Sequence, residues 1–192
     1  MRIAYHVMSS PLGLLFLARG EAGLLHLEFM ERKSIKRMIA SHAAHHPMAT
    51  WEPSLLELKD AVDQLEGYFC GALTTFTLPL VPAGSTFQLA VWKELLQIPF
   101  GETRTYGQIA KAIRQPKAAR AVGLANNQNP IAIIVPCHRV IGANRSLTGY
   151  GGGIQRKRWL LQHEARFAKH GETEADLFTA ASSRSGNKRD SR

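Results

Sequence analysis

A thiol and an imidazole stand side by side late in the chain, in the run Pro136-Cys137-His138-Arg139. A cysteine with an ordinary pKa of about 8.5 is only a few per cent thiolate at neutral pH, and apolar burial lowers that fraction. Cys137 could therefore act as a nucleophile only with a base nearby, and His138 is the local candidate. A carboxylate would orient that base and stabilise its protonated form. In residues 84–170, the segment that surrounds the thiol, the acidic residues are Glu94, Glu102 and Glu164.

Sequence adjacency alone does not make Cys137 and His138 a catalytic pair. Neighbouring residues of an extended chain point to opposite sides, and a lone buried cysteine is usually inert packing. The other cysteine, Cys70, is far away in the chain, and no C-x-x-C pattern is present. This excludes a disulfide framework and a cysteine-rich zinc site, and Cys70 is expected to pack at the end of a helix.

The positive charge is concentrated in the segment around the thiol. The chain carries 24 Lys and Arg against 15 Asp and Glu, for a net charge of +9. No acidic residue lies between Glu102 and Glu164. This pattern favours a polyanionic partner such as nucleic acid, although a basic face kept for solubility is the alternative. The basic residues of that stretch are Arg104, Lys111, Arg114, Lys117, Arg120, Arg139, Arg145, Arg156, Lys157 and Arg158.

Length and composition indicate a folded chain of one large or two small domains. Of its 192 residues, 45% are hydrophobic and 20% charged, which excludes collagen-like and wholly disordered classes. Apolar runs such as Ile131 to Val135 fall far short of the roughly 18 residues of a membrane span. No secretory signal pattern is visible at the start. The chain is expected in the cytoplasm, or in the nucleus of a eukaryote.

The first part of the sequence predicts a small α/β domain with an antiparallel sheet, residues 1–83. Three short apolar-rich runs separated by turn residues, Ile3 to Met8, Leu14 to Ala18 and Leu24 to Phe29, indicate a β-meander. Ser54 followed by Glu57 predicts a helix start. The apolar stripe that follows it is Leu55, Leu58, Val62, Leu65 and Phe69.

The remainder predicts a mostly helical domain, residues 84–168, followed by a flexible tail, residues 169–192. Ser85 and Gln88 predict a capped helix through Leu96. Two short helices, 106–113 and 117–126, with Pro116 in the first turn of the second, form a helix-turn-helix pattern. We expect a short buried extended segment at 131–135 and a closing helix at 154–168. The fold class is α+β.

Several runs of the second half resemble the C-terminal domain of O6-alkylguanine-DNA alkyltransferases. The resemblance covers about residues 84–166, and the earlier residues agree with that family in size and layout. The run Pro136-Cys137-His138-Arg139-Val140 is specific to the family, and its flanks support the match. The flanking runs are Asn129-Pro130, Arg104 to Ala110, Pro116 to Gly123, Gly149 to Gly153 and Trp159 to Glu164.

The resemblance implies that Cys137 accepts an alkyl group from O6 of a damaged guanine and keeps it as a thioether. It implies that His138 takes the thiol proton through a water, that Glu164 holds the histidine and that Asn129 fixes the turn. Tyr106 would donate a hydrogen bond to guanine N3 as charge develops. The reaction would occur once per chain, with no cofactor and no metal.

The resemblance also implies how DNA is bound, by a monomer acting on double-stranded DNA that carries O6-alkylguanine. Its family fold pairs a ribonuclease H-like domain with a winged helix-turn-helix-like domain. Arg120 would fill the stack left by an everted base, while Ala118, Ala119 and Gly123 would allow close approach to the minor groove. The residues implied to line the base pocket are Tyr106, Val140, Tyr150 and Gly151.

Two rival functions are weighed against alkyl transfer. A non-catalytic alkyl-lesion-binding protein resembles this family but carries another residue in place of the cysteine, so Cys137 argues against it. A cysteine hydrolase using Cys137, His138 and Glu164 would turn over repeatedly and would not need the basic helix-turn-helix. The histidines 42, 45 and 46 are expected in a solvated loop that binds no metal.

Overall fold

The computed structural model describes residues 1–30 and 34–183 of the chain. Four strands form the first sheet: β1 (Arg2–Ser10), β2 (Gly13–Gly20), β3 (Gly23–Phe29) and β4 (Thr50–Pro53). Their order is β3-β2-β1-β4, in which β1, β2 and β3 are antiparallel neighbours and β4 is parallel to β1. The predicted meander is confirmed, while β4 was not predicted.

Helices cover both faces of this sheet. They are α1 (Ile35–Ala43) and α2 (Leu55–Phe69). The Ser54 side chain accepts a hydrogen bond from the Glu57 N–H and caps α2 as predicted. One core joins the buried face of α2 to one side of the sheet, and a second core joins Met38 of α1 to the other side. The sequence analysis overlooked α1, although Ser34 caps it and Ile35, Met38, Ile39 and His42 follow helical spacing.

The second half is mainly helical. Its helices are α3 (Thr86–Leu95), α4 (Tyr106–Ala112), α5 (Ala119–Asn127) and α6 (Ile154–Ser183). Two short parallel strands, β5 (Arg104–Thr105) and β6 (Val140–Ile141), bracket the helix-turn-helix pair α4 and α5. Ser85 and Gln88 form the predicted capping box at the start of α3. The α+β fold class is confirmed.

The structure corrects two of the predicted elements. The second helix of the pair begins at Ala119 and not near Pro116, because Arg114 has a φ of 60° and the Ala118 N–H bonds the Gln115 carbonyl in a turn. The 131–135 segment is buried but mostly not extended. Only Ile131 pairs with a strand, and Ile133 turns the chain with a φ of 70°.

The outer edge of β3, which pairs with no other strand of the first sheet, forms hydrogen bonds with the segment before Cys137. The Leu27 N–H donates to the Pro130 carbonyl at 2.9 Å, and the Ala132 N–H donates to the Leu27 carbonyl at 2.8 Å. Farther along the same edge, the Leu24 N–H donates to the Pro79 carbonyl at 2.8 Å. The first sheet therefore sets where the segment before Cys137 lies.

The closing helix α6 extends to Ser183, beyond the predicted end at residue 168. The tail predicted for residues 169–192 therefore falls partly on α6, and residues 184–192 lie outside the described residues. Within residues 1–30 and 34–183, no helix is both long enough and apolar enough to cross a membrane.

Gly23 tests how tightly the β3 edge is held. It has a φ of 149°, and a Cβ there would lie 2.4 Å from the Pro79 carbonyl oxygen. Gly23→Ala is expected to lower the free energy of unfolding by about 2–4 kcal/mol, because backbone strain and a backbone clash add. Urea unfolding measures this change.

The matched control for Gly23 is Gly153→Ala. Gly153 also has a positive φ, 87°, but a Cβ there would meet nothing within 4 Å. Gly153→Ala should lower the free energy of unfolding by only about 1–2 kcal/mol, from backbone strain without a clash. Equal losses in both variants would show that the contact with Pro79 is not a close one.

Candidate active site

Cys137 opens a 3-10 turn, Cys137–Arg139, and is 4% exposed. Its Sγ accepts a hydrogen bond from Asn129 Nδ2 at 3.1 Å. The thiol lines a cavity of about 190 Å³, which is smaller than the pockets of roughly 300–1,000 Å³ that hold drug-sized ligands. Its other lining residues include Asn126, Asn127, Tyr150, Gly151 and Phe29. The Cys137 thiol therefore lies in a cavity wall that also contains amide side chains and aromatic rings.

Asn129 also fixes the turn that precedes the thiol. Its Nδ2 donates to the Val135 carbonyl at 2.8 Å, and its Oδ1 accepts from the Ile131 N–H at 3.0 Å. These bonds hold both ends of the turn in which Ile133 takes its left-handed conformation. Such a conformation is costly for a β-branched residue and persists only where the surroundings determine it. One side chain thus shapes the turn and contacts the sulfur.

His138 and Glu164 form a buried pair. His138 Nε2 lies 2.7 Å from Glu164 Oε1, and both side chains are 0% exposed. A carboxylate accepts hydrogen bonds, so Nε2 must be the donor and Nδ1 keeps its lone pair. Nδ1 is buried and has no hydrogen-bond partner among the described residues. The imidazole therefore presents an acceptor nitrogen on the side away from Glu164.

Glu164 receives four further hydrogen bonds that the sequence analysis missed. The Tyr68 hydroxyl donates at 2.8 Å, and the Gly101 N–H donates at 3.2 Å. Arg139 donates from Nε at 2.9 Å and from Nη2 at 3.0 Å, in a bidentate pair. Tyr68 lies on the buried face of α2, so the carboxylate joins the two halves of the chain. Its helical spacing from Leu65 was the only sequence signal of that position.

The pKa values fit a neutral thiol beside a neutral base. Burial raises the pKa of the Cys137 thiol, with the Asn129 hydrogen bond opposing it. Burial lowers the pKa of His138, with the Glu164 charge opposing it. Burial would raise the pKa of Glu164, but the interactions with His138 and Arg139 hold it well below its usual range. The carboxylate is thus ionised, and the histidine can accept a proton.

Tyr106 stands at the start of α4, half-buried beside the loop before α6. Its hydroxyl donates to the Thr148 carbonyl at 3.0 Å and is 3.3 Å from the Gly149 carbonyl oxygen. Burial raises its pKa, so the phenol stays protonated. A Cβ at Gly123 would lie 3.8 Å from the ring, so α5 passes close to it.

Of the other residues predicted for the base pocket, two line the cavity and Val140 does not. Tyr150 and Gly151 line the cavity, and the buried Tyr150 hydroxyl has no partner among the described residues. Val140 is fully buried, and its N–H donates to the Cys137 carbonyl. Its own carbonyl accepts from Lys157 Nζ at 2.6 Å. Asn126, missed by the sequence analysis, donates from Nδ2 to the Cys137 carbonyl at 3.0 Å.

The basic surface is smaller than the sequence suggested. Arg139 and Lys157 are buried, and Arg156 lies over the Phe29 ring at 4.4 Å, so these three are not free to face a polyanion. Burial lowers the pKa of Lys157 to about 8. The cations that remain exposed near α4, α5 and the site are Lys111, Arg114, Lys117, Arg120, Arg145 and Arg158.

Two expectations about the N-terminal half are wrong. His42 does not lie in a solvated loop, because residues 35–43 form α1 and its side chain is buried against the sheet. His45 is exposed, as expected. Cys70 follows α2, but it is exposed and not packed.

Comparison with known proteins accounts for both halves of the chain. Residues 3–82 match the family described as 6-O-methylguanine DNA methyltransferase, ribonuclease-like domain. Residues 86–166 match the family described as 6-O-methylguanine DNA methyltransferase, DNA binding domain. These matches describe a class of DNA methyltransferase in which a sheet domain precedes a helical DNA-binding domain.

Individual relatives agree with this class. A methylated-DNA–protein-cysteine methyltransferase of Methanosarcina mazei is 51% identical, over 83% of this chain and 96% of its own length. The crystal structure of Mycobacterium tuberculosis O6-methylguanine methyltransferase is 51% identical with a TM-score of 0.75, covering 85% of this chain and 93% of that one. The crystal structure of Mycobacterium tuberculosis OGT in complex with DNA is 49% identical with a TM-score of 0.73, covering 87% and 94%. The chain belongs to the 6-O-methylguanine DNA methyltransferase family.

Glu164→Gln is expected to destabilise the protein by about 3–5 kcal/mol at pH 7, because it leaves buried Arg139 without a counter-charge. The folded-state pKa of Glu164 lies below its unfolded value, so its contribution is complete above about pH 5 and declines as pH falls through the ordinary carboxyl range. The difference between wild type and variant should therefore shrink toward pH 3. Urea unfolding at both pH values measures it.

The control is Glu102→Gln, which removes a carboxylate from an exposed pair with Arg104. Exposed pairs contribute about 0–1 kcal/mol, so this variant should unfold like wild type. A Glu164→Gln loss that is the same at pH 7 and pH 3 would contradict an ionised buried carboxylate.

Proposed function

We propose that this protein repairs DNA by moving the alkyl group of O6-alkylguanine onto Cys137, once per molecule. The observation that carries the proposal is the buried Cys137 sulfur, which lines a small cavity. This sulfur accepts a hydrogen bond from Asn129 and precedes the His138–Glu164 pair. Family membership supplies the reaction class. A cysteine hydrolase would not need the exposed cations of α4 and α5.

The transfer is a direct displacement at carbon. The sulfur attacks the alkyl carbon, a C–S bond forms, and the bond from that carbon to guanine O6 breaks with its electron pair staying on the guanine. The thiol proton, removed toward His138, ends on the released base. The products are S-alkylcysteine and unmodified guanine, so no oxidant, reductant or cofactor is required. A thioether is not hydrolysed, and the protein is spent.

Activation of the thiol must come from its neighbours. Burial raises the Cys137 pKa, so the resting group is a thiol and not a thiolate. His138 keeps its Nδ1 lone pair because Nε2 is bound to Glu164. We infer that Nδ1 takes the proton through a bridging water, because Nδ1 makes no direct hydrogen bond with Cys137 or any other described residue. Glu164 stabilises the imidazolium that results.

Charge that develops on the leaving guanine also needs a donor. The protonated Tyr106 hydroxyl is the proposed donor to guanine N3, exchanging its bond to the Thr148 carbonyl for one to the base. Tyr150 and Gly151 are proposed to form the wall against which the base stacks. Val140 is proposed to contact the base edge through its backbone carbonyl, which Lys157 already polarises.

DNA is proposed to bind along α5. This helix begins at Ala119 with no side-chain cap, so its first N–H groups are available to a phosphate. Ala118, Ala119 and Gly123 are small, which permits close approach to a minor groove. The exposed Arg120 is proposed to enter the stack and replace the everted base. We infer a monomer, acting where the cell keeps its DNA.

The first test is the mass of the protein after reaction. Duplex DNA that carries O6-methylguanine should add the mass of one CH₂ group to the peptide containing Cys137, at one lesion per chain. Cys137→Ala should stay unmodified while keeping salt-sensitive DNA binding. Mass spectrometry of the digested protein and analysis of the DNA bases measure both products.

The matched control is Cys70→Ala, which removes the exposed cysteine and should react as wild type does. Restored guanine with an unmodified Cys137 peptide, or several lesions repaired per chain, would refute direct transfer.

The second test separates base eversion from DNA affinity. At saturating duplex, Arg120→Ala should lower the single-turnover rate at least about tenfold, because unstacking a base costs a few kcal/mol. Its reaction with free O6-benzylguanine should stay within about twofold of wild type, since no duplex is opened. Quenched-flow kinetics on both substrates provide the comparison.

Lys117→Ala is the control for this test, because Lys117 is an exposed cation next to the same helix. It should weaken binding but recover the wild-type rate at saturating DNA, as a phosphate contact would. If Arg120→Ala also recovers, or loses equal rate on the free base, Arg120 does not act as the intercalating residue.

A further inference from the structure

A second group of chemically capable side chains lies between β3 and α1, apart from the Cys137 sulfur. His26 and Glu28 are two residues apart on β3 and share the face that α1 covers. His42 comes from the last turn of α1. One ligand atom from each of the three residues lies within 4.8 Å of the others. A strand and a helix thus bring two imidazoles and a carboxylate to one point.

The contacts among these groups are short. Glu28 Oε1 lies 3.0 Å from His42 Nε2 and 3.4 Å from His26 Nδ1. The two imidazole rings stack with their centroids 3.7 Å apart. His26 is 7% exposed and His42 is 8% exposed. The cluster is therefore largely withdrawn from bulk water.

The nitrogens of this cluster lack ordinary partners. His26 Nε2 is buried without a hydrogen-bond partner among the described residues, and His26 Nδ1 and His42 Nε2 both turn toward the single Glu28 carboxylate. Buried polar atoms are hydrogen-bonded in the great majority of cases. Two buried imidazoles that share one carboxylate therefore keep nitrogen lone pairs that a cation could use.

Protonation of both imidazoles would not stabilise this cluster. If both rings were protonated, two like charges would stack 3.7 Å apart with a single carboxylate to balance them. A divalent cation instead uses the lone pairs of neutral imidazoles together with a carboxylate oxygen. Two histidines and one glutamate are a ligand set of Zn²⁺, with a fourth position left for water.

We propose that His26, Glu28 and His42 bind one divalent transition-metal ion of the Zn²⁺ type. The ion reaches the cluster from a cavity of about 440 Å³ that these residues line together with His45. Water from that cavity takes the fourth position. The site joins α1 to β3, so the ion stabilises the N-terminal half.

The site also adjoins the cavity that holds Cys137. Glu28 and Phe29 line that cavity as well, so an ion that fixes Glu28 also fixes part of its wall. The ligands do not include Cys137 or His138, and the proposal stands whether or not alkyl transfer is the reaction. Its role is structural.

The experiment is a titration of the untagged, full-length, metal-stripped protein with ZnCl₂ by isothermal calorimetry. One ion per chain should bind, the melting temperature should rise, and MgCl₂ and CaCl₂ should have no such effect. Co²⁺ should give the visible absorption bands of a tetrahedral site. Because thiolates also bind zinc, Cys137→Ala is titrated alongside and should bind equally.

Glu28→Gln and His42→Asn should each weaken Zn²⁺ binding at least about tenfold, since even outer-shell changes cost about 10–100-fold. His45→Asn is the matched control, because His45 lines the same cavity but is exposed and outside the cluster, and it should bind as wild type does. Circular dichroism confirms that each variant is folded.

Absence of stoichiometric Zn²⁺ binding by the wild-type protein would overturn the proposal without touching the mass-shift test of alkyl transfer. Equal binding by wild type and folded Glu28→Gln, or loss of binding in Cys137→Ala, would overturn it as well, because the ion would then lie elsewhere.

Discussion

A carboxylate that stays ionised inside a protein needs donors on all sides, and Glu164 has them from both halves of the chain. Tyr68 reaches it from α2, Gly101 from the loop after α3, and Arg139 and His138 from the turn that holds the thiol. Replacing such a network by apolar groups can even stabilise a protein, so its value here is positional. It fixes the tautomer of His138 and thereby aims a lone pair.

The turn before Cys137 shows how much local strain that position requires. Ile133 adopts a left-handed backbone conformation that a β-branched residue rarely takes. Asn129 holds both ends of the turn, and the edge of β3 pairs with residues 130–132 on its outer side. Strain of this kind survives where neighbouring structure over-determines it. The first sheet thus helps to position the nucleophile.

Elements with a long periodic pattern or a clear cap were predictable. The three strands of the meander, α2 with its Ser54 cap and α3 with its capping box follow from local preferences that tertiary contacts reinforce. Elements whose stability comes from a partner were not. The strand β4 exists by pairing with β1 from the start of the chain, and residues 130–132 lie against the edge of β3. No short window of sequence contains those partners.

The sequence alone determined the chemistry available: a thiol beside an imidazole, a glutamate on the last helix and a basic helix-turn-helix segment. It also carried the family resemblance. Only the tertiary structure decided which charges face solvent, because burial depends on contacts between distant residues. Arg139 is a buried partner of Glu164, Tyr68 joins the site from the other half, and His26, Glu28 and His42 meet. The sequence gives the type of each side chain, but the distances between side chains and their removal from water arise only when the chain folds.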